Sequence, residues 1–162
     1  MLGFPRIVDE VSARLVAAVV AVLALVALLT GTAWLIAVLA AGFVLRVLAG
    51  PRLSPLALLV TKVVRPRLPL AERPTPGPPK RFAQAVGAAL TGLAAVLVLG
   101  PGLAAGWWLV GAVVVAATLE SCLGLCLGCQ AFAGIMRLGV IPASVCAECA
   151  DLALRRPPPV QA

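Results

Sequence analysis

Cysteine is the residue type in this chain with the clearest chemical potential, and its spacing is specific. All five cysteines lie between positions 122 and 149 of a chain of 162 residues. Cys126 with Cys129, and Cys146 with Cys149, have the Cys-x-x-Cys spacing, and Cys122 precedes the first pair by about one helical turn. If the helix is continuous, Cys122, Cys126 and Cys129 share one face. Such spacing is typical of thiol redox chemistry and of zinc binding.

Three interpretations of the cysteines compete. In the favoured one, Cys126 and Cys129 form a dithiol that exchanges electrons or sulfur, because a helix start and nearby cations favour the thiolate. In the second, Cys126, Cys129, Cys146 and Cys149 bind one structural zinc ion, which leaves no open position for catalysis. In the third, the cysteines are small packing residues, the best account of Cys122. The first interpretation requires no cofactor, and we expect the thiols to be reduced because the segment is predicted to face the cytoplasm.

Glu120 is a second unusual position, because it directly follows a long apolar run. An ionisable residue at membrane depth indicates a functional site by default. A carboxylate close to a thiol raises the pKa of that thiol, so Glu120 is a candidate modulator of the dithiol. The alternative is that the helix has already reached the membrane interface there. The chain has no histidine, which excludes an imidazole base or ligand.

The composition places these cysteines in an integral membrane protein. Apolar residues make up 62% and charged residues 12% of the chain, against roughly 45–50% and about 25% in soluble domains. The net charge of +7 is compatible with a nucleic acid or an acidic membrane surface. Two long runs without charge, Leu15 to Leu45 and Phe82 to Leu119, favour the membrane, since a span needs about 20 apolar residues. We therefore expect a lipid bilayer and no nucleic acid as partner.

Each run is too long for one span and has a helix breaker inside it. Thr30-Gly31-Thr32 interrupts the first run and Gly100-Pro101-Gly102 the second. We therefore predict an all-α integral membrane protein with four transmembrane helices in two hairpins. Residues 1–156 form a single membrane domain, and 157–162 form a flexible tail. The predicted spans are about 11–29, 32–48, 83–99 and 103–121.

The loop between the hairpins, residues 49–82, sets the predicted orientation. By the positive-inside rule it lies in the cytoplasm, and so do both termini. Arg14 and Arg46 are expected to snorkel to this side. Asp9 and Glu10 precede the first apolar stretch, which argues against a signal peptide. A single Glu72 accompanies the cations of this loop, which are Arg52, Lys62, Arg65, Arg67, Arg73, Lys80 and Arg81.

The loop also contains a predicted interfacial helix. Ser54-Pro55 is typical of an N-cap followed by proline in the first turn. Leu56, Leu59, Val60 and Val63 share a face on a 3.6-residue period, which suits a helix at headgroup level or one packed under the bundle. In the first case the basic side chains meet anionic lipid or an acidic partner. These side chains are Lys62, Arg65 and Arg67.

The segments around this helix and after the last span have simpler patterns. Residues 69–79 are rich in proline and are predicted to be an extended linker. In the Cys-rich segment, 120–150, Gly124 and Gly128 have the spacing of a close helix–helix contact. Gly139 is predicted as a helix C-cap, followed by a short helix at about 143–154 that carries the second cysteine pair.

Several short blocks, in order, give the chain a resemblance to a known family. It resembles a bacterial membrane family known as domain of unknown function 4395, over residues of about 5–150. The resemblance implies a four-helix protein of the bacterial inner membrane with no established activity. Family members are often encoded near thioredoxin-like proteins and sulfurtransferases, which implies such a protein as a cytoplasmic partner in thiol or sulfur handling. The blocks are Ile7-Val8-Asp9-Glu10, Ala13-Arg14, Gly50-Pro51-Arg52-Leu53-Ser54-Pro55-Leu56, Pro79-Lys80-Arg81-Phe82-Ala83, Glu120-Ser121 and Cys126-Leu127-Gly128-Cys129.

Overall fold

The computed structural model describes residues 6–50, 54–67, 73–146 and 149 and is mainly helical. Its six α-helices in the described part are joined by a two-stranded ribbon and short turns. The ribbon consists of β1 (Ile7–Asp9) and β2 (Pro74–Pro76). The helices are α1 (Glu10–Thr30), α2 (Ala33–Ala49), α3 (Pro55–Leu59), α4 (Gly77–Leu99), α5 (Ala105–Leu123) and α6 (Leu127–Arg137).

Three helices, α1, α4 and α5, are long and apolar enough to cross a membrane. This confirms the prediction of membrane-spanning helices. The fourth predicted span corresponds to α2, which is apolar but shorter, with 17 residues. The predicted boundaries agree within two residues except at the start of α4, which begins at Gly77. Pro78 and Pro79 lie in its first turn, where a missing N–H leaves no hydrogen bond unmade.

Glycines end the helices where the sequence predicted breaks. Gly31 has a φ of 68°, and this left-handed conformation ends α1. Gly102 has a φ of 69° in the turn between α4 and α5. The next glycine, Gly106, lies so close to α4 that a Cβ there would be 2.5 Å from Cγ2 of Val98. Both predicted interruptions are therefore helix ends.

The helices do not pack simply within the predicted hairpins. The most extensive contacts join α2 to α4 and α1 to α5, while α1 and α2 contact each other little. The core between them contains fully buried Ala24, Ile36, Ala94 and Val110. Helix α2 approaches α4 closely because Gly87 leaves room for the ring of Phe43, into which a Cβ would protrude. Chain neighbours are thus not the main packing partners.

The N-terminal strand and the central loop are joined through Asp9. The antiparallel ribbon pairs Val8 with Thr75, so part of the predicted extended linker is ordered. Asp9 caps α1 through Ser12 N at 3.0 Å and accepts from Arg65 Nε at 2.9 Å and Arg73 N at 3.1 Å. Burial raises the pKa of Asp9, but hydrogen bonds from Ser12, Arg65 and Arg73 outweigh it and hold the pKa far below the usual range.

The interfacial segment begins as predicted but buries a different face. Ser54 Oγ accepts from Ala57 N at 3.5 Å at the start of α3, which continues as a π-helical turn, Val60–Val64, and a 3-10 turn, Arg65–Arg67. The buried residues are Ala57 and Val60, whereas Leu59 is 58% exposed. Val63 is exposed as well, so of the predicted face only Val60 packs into the bundle, and contact of Leu59 and Val63 with the headgroup region stays a prediction. The side chain of Leu56 lies outside the described residues.

The predicted C-terminal helix is a 3-10 turn, Ala143–Cys146, as far as the structure describes it. Gly139, with a φ of 75°, follows the end of α6, which confirms the predicted stop. Most of the predicted helix at 143–154 beyond this turn lies outside the described residues. The same holds for the tail, residues 157–162, and for Arg52 and Glu72 of the loop.

Candidate functional site

A break in the helix after α5 separates the cysteines. Gly124, with a φ of 69°, ends α5, and α6 begins three residues later with Cys126 as its N-cap. Cys122 therefore lies on α5, and the prediction of one helical face shared with Cys126 and Cys129 is wrong. The predicted Gly124–Gly128 contact row is also wrong for the first glycine, because it caps a helix and is not inside one.

Gly128, by contrast, makes the predicted close contact, and it holds α6 against α4. A Cβ at Gly128 would lie 2.6 Å from Cα of Ala83. Beside this contact, the rings of Phe82 and Phe132 pack with their centroids 5.7 Å apart. Helix α6 is thus docked on α4 at its first turn, where the cysteines lie.

Cys126 is the cap of α6 in the literal sense. Its Sγ accepts a hydrogen bond from Cys129 N at 3.3 Å, as an N-cap side chain does. The hydrogen bond from the Cys129 thiol lowers the pKa of Cys126 most, and the backbone N–H and the Lys80 ammonium lower it further. Burial and the charge of Glu120 act in the opposite direction. The net result is a pKa below the ordinary thiol value.

Cys129 has the opposite properties. The hydrogen bond it donates to Cys126 raises its pKa, and burial raises it further. Donation of that hydrogen bond requires the proton to stay on Cys129. Its side chain is nevertheless half-buried, whereas Cys126 is 8% exposed, and Cys122 is exposed. The favoured thiolate is therefore the less accessible sulfur of the pair.

A buried ion pair faces the thiols. Lys80 Nζ lies 2.5 Å from Glu120 Oε1, and both side chains are largely buried. Their charges act on Cys126 and Cys129. From the sequence, Glu120 was predicted to belong to the site, whereas Lys80 was regarded only as one of the cations of the loop. The signal that was missed is Pro78-Pro79, which moves the start of α4 back and brings Lys80 onto the helix.

Arg46 is the second buried cation. The prediction that it snorkels outward is wrong, since it is 5% exposed. Its Nε donates to Gly42 O at 3.0 Å, and its guanidinium carbon lies 4.4 Å from the ring centre of Phe43. No carboxylate of the described residues lies within 4 Å of it. The ring contact returns about 0.5–2 kcal/mol, less than the several kcal/mol that burying a charge costs.

Arg14, the other arginine predicted to snorkel, binds the C-terminal end of α5. Its guanidinium donates to Ser121 O at 3.1 Å and to Cys122 O at 2.9 Å. A cation that satisfies the last carbonyls of a helix is favoured by the helix dipole. This contact positions the end of α5, which carries Glu120.

A cavity of about 250 Å³ lies next to Arg46, Glu120 and Cys126. It lies between α1, α2, α4, α5 and the start of α6. Its polar lining is small and its remaining walls are aliphatic. Oε1 of Gln84 is buried and without a hydrogen-bond partner. The polar or reactive residues that line the cavity are Arg46, Gln84, Glu120 and Cys126.

The second cysteine pair is oxidised. A disulfide joins Cys146 to Cys149, with the two Cα atoms 5.3 Å apart, which differs from the expected reduced thiols. A disulfide sulfur does not act as a thiolate ligand of zinc. Within residues 6–50, 54–67, 73–146 and 149, no three cysteine or acidic side chains come together as a metal site.

The predicted lipid-facing cations are divided by the fold. Lys62 and Arg67 are exposed, and Arg67 Nη1 donates to Val63 O at 2.9 Å. Arg65 is half-buried and paired with Asp9. One of the three predicted lipid-facing cations, Arg65, is thus used for an internal contact.

Taken together, the fold and the site define a helical protein with three helices long and apolar enough to cross a membrane and a Cys-x-x-Cys pair at a helix start. The family described as Domain of unknown function (DUF4395) matches residues 8–137. The chain belongs to this family, which confirms the resemblance seen in its sequence. The match includes Cys126 and Cys129 and ends before Cys146. No curated protein and no solved structure matches the chain.

Proposed function

We propose that the protein is a membrane-bound thiol–disulfide exchange protein in which Cys126 and Cys129 are the reacting pair. The observation that carries the proposal is the division of properties within this pair. Cys126 has the lowered pKa and is buried, and Cys129 has the raised pKa and is accessible. A pair that differs in this way has a defined entry sulfur and a defined leaving group.

The membrane arrangement belongs to the same proposal. Helix α2, with 17 mainly apolar residues, is about 25 Å long and reaches the lower limit for a span. With α1, α4 and α5 it makes four spans in the bacterial cytoplasmic membrane. The exposed cations Lys62, Arg67 and Arg81 support a cytoplasmic loop, with both termini on the same side. The thiol pair then faces a reducing compartment.

The reaction has a preferred direction. When Cys126 and Cys129 are joined in a disulfide, the thiolate of a cytoplasmic dithiol protein attacks the accessible Cys129 sulfur. The bond between the two protein sulfurs breaks, and Cys126 leaves as a thiolate, which the backbone N–H of Cys129 and the ammonium of Lys80 stabilise. The second thiol of the partner, after losing its proton, attacks the partner's sulfur in the mixed disulfide and releases Cys129, which takes up a proton. The partner is oxidised to a disulfide, and the pair receives both electrons.

The type of partner follows from this direction. A thioredoxin-like protein supplies two thiols on a small exposed surface, and a sulfurtransferase exposes one reactive thiol. Complete reduction of the pair by one partner requires two thiols, so we favour the thioredoxin-like class. This choice rests on the family's implied neighbours and on the accessibility of Cys129.

The test is to map a mixed disulfide on the oxidised protein. Detergent-purified protein with Cys122→Ser is oxidised, exposed briefly to the neutral monothiol 2-mercaptoethanol, quenched with acid and analysed by mass spectrometry of its peptides. We expect the mercaptoethanol adduct on Cys129 and a free thiol on Cys126. The matched control is the Cys126→Ser variant, in which Cys129 has no disulfide partner at position 126 and no adduct appears on Cys129.

Two results would overturn the proposal. An adduct found mainly on Cys126 contradicts the assigned direction. One zinc ion per chain, lost on substitution of Cys146, together with four thiols protected from alkylation, supports a zinc-tethered scaffold without turnover instead.

A further inference from the structure

We propose that the internal cavity binds a small inorganic oxyanion, held by the guanidinium of Arg46 and the amide of Gln84. The binding deepens the proposed function, because it gives the class of molecule that Cys126 meets inside the protein. It rests on the proposed function for that role only, since an anion site can exist whether or not the thiols react.

The buried charges near the cavity are not balanced. Arg46 and Glu120 line the cavity, and the buried Lys80 pairs with Glu120, so this region has two cations for one carboxylate. Lys80 Nζ pairs with Glu120 Oε1 at 2.5 Å. Among the described residues, no carboxylate lies within 4 Å of the guanidinium of Arg46. Burial of an uncompensated cation is unfavourable. An anion in the cavity supplies the missing charge.

The side-chain amide of Gln84 is not fully satisfied by hydrogen bonds. The buried oxygen of Gln84 has no partner, although buried amides are nearly always satisfied. The oxygen and nitrogen of a glutamine amide exchange places on a half-turn of the side chain. In that orientation the buried position holds an NH₂ donor, on a residue that lines the cavity together with Arg46. Two donor groups then converge on one cavity, which suits an oxyanion.

The volume of the cavity limits the size of the ligand, and Cys126 is reached from inside it. A cavity of about 250 Å³ holds the equivalent of about eight water molecules at roughly 30 Å³ each. This is enough for an inorganic oxyanion and too little for a cofactor. Cys126 lines the same cavity and is 8% exposed. Its sulfur is therefore reached from the cavity more readily than by a protein surface.

The test is thermal unfolding of the detergent-purified chain in a titration of sulfate, with gluconate keeping the ionic strength constant. A ligand that binds the folded state raises the unfolding temperature, and the effect saturates. We expect a saturable rise of roughly 5 °C, and a dissociation constant at least tenfold weaker in the Arg46→Gln variant. Arg81→Gln is the matched control, because Arg81 is an exposed cation near the same end of the bundle and leaves the titration unchanged.

Further variants keep the test decisive. If Arg46→Gln does not fold, Gln84→Leu replaces it, with the same expected tenfold loss. Cys126→Ser must retain the sulfate response, so the site can be confirmed even if the thiol pair does not react. A sulfate effect that is absent, does not saturate, or persists in Arg46→Gln overturns the site.

A lipid phosphate offers the same chemistry as a free oxyanion, and the titration distinguishes the two. The same measurement is made with phosphatidylglycerol added to the micelles in place of sulfate. Stabilisation by the lipid alone, lost in Arg46→Gln, overturns the proposal of a free oxyanion. Stabilisation by sulfate in lipid-free micelles supports it.

Discussion

At the scale of residues, the reactivity of Cys126 depends on a few charges held at short range. Its sulfur receives two hydrogen bonds from Cys129, and the ammonium of Lys80 and the carboxylate of Glu120 act on it with opposite signs. The two charged groups partly cancel because they form an ion pair. Removal of one of them therefore exposes the effect of the other.

This balance predicts how alkylation of Cys126 depends on pH. Only the thiolate reacts, so the rate rises as the pH passes the pKa. Because the pKa of Cys126 is lowered, its rise occurs at a lower pH than the ordinary thiol value of about 8.5. Glu120→Gln removes a group that raises the pKa and shifts the midpoint further down, and Lys80→Gln shifts it up. The measurement is the rate of iodoacetamide labelling against pH in a Cys122→Ser background.

The control for this profile is Arg81→Gln, which changes the net charge without changing the ion pair. Its midpoint should equal that of the background protein. Shifts of the same sign for Glu120→Gln and Lys80→Gln would show that the substitutions disturb packing and not the local charge.

At the scale of elements, Asp9 joins three parts of the chain by one carboxylate. It caps α1, pairs with Arg65 after α3 and accepts from the backbone before β2. Asp9→Ala removes all three and is expected to destabilise the protein by at least the roughly 1–2 kcal/mol of a lost N-cap. Asp9→Asn keeps one acceptor oxygen for the cap and loses the charge and the second acceptor, so its loss should be smaller than that of Asp9→Ala. Thermal unfolding in detergent measures both.

The pH dependence of the stability of wild type and of Asp9→Asn gives the sign of the charge effect. Because the pKa of Asp9 is lowered on folding, its charge stabilises the protein above its unfolded pKa of about 3.9. This contribution is lost as the pH falls below that value toward the lower folded pKa. The stability difference between wild type and Asp9→Asn should therefore shrink under acid, and a difference that grows would contradict the assignment.

Helix α6 supplies a prediction about backbone contact. Gly128→Ala places a Cβ 2.6 Å from Cα of Ala83, so α6 must move away from α4, at a cost of about 1–3 kcal/mol. Cys126 should then become more accessible to alkylation. Gly134→Ala, on the same helix but facing open space, is the control and is expected to be stabilising by up to about 1 kcal/mol. Equal behaviour of the two variants would show that the contact is not tight.

At the scale of the whole molecule, the bundle is held together by helices that are distant in the chain. Helix α1 packs on α5 and α2 on α4, while many aliphatic and aromatic side chains point outward, such as Trp108 at 82% exposure. A surface of this kind is stable in lipid and not in water. The exterior is therefore that of a protein with membrane-spanning helices, of which α1, α4 and α5 are long and apolar enough to cross a bilayer.

The proposed four-span topology predicts the location of each turn. Alkaline phosphatase fused after Gly31 or Gly102 should be active, since the enzyme works only outside the cytoplasm, and fusions after residues 75 and 162 should be inactive. Fluorescent-protein fusions at the same positions should give the inverse pattern. An active phosphatase at residue 75 or 162 would overturn the orientation, and an inactive one at Gly31 would favour a three-span protein.

Local features of this chain were readable from its sequence, because they depend on neighbouring residues. Hydropathy located the long helices, and Gly31, Ser54 and Gly139 marked helix ends through backbone conformation and capping. The family also followed from short blocks of residues. The end of α5 at Gly124 was equally local, but Gly124 and Gly128 have the spacing of a helix contact row, so the break between Cys122 and Cys126 was not predicted.

The site itself was decided by tertiary structure. Whether Lys80 meets Glu120, and whether Arg46 is buried on Phe43 or reaches water, depends on which helices become neighbours. That choice is made by close contacts between distant segments, such as Gly87 beneath Phe43 and Gly128 against Ala83. Hydropathy is the same for every arrangement of apolar helices, so it cannot distinguish them. Only the packed bundle brings Arg46, Glu120 and the Cys126 thiol to one cavity and pairs Lys80 with Glu120.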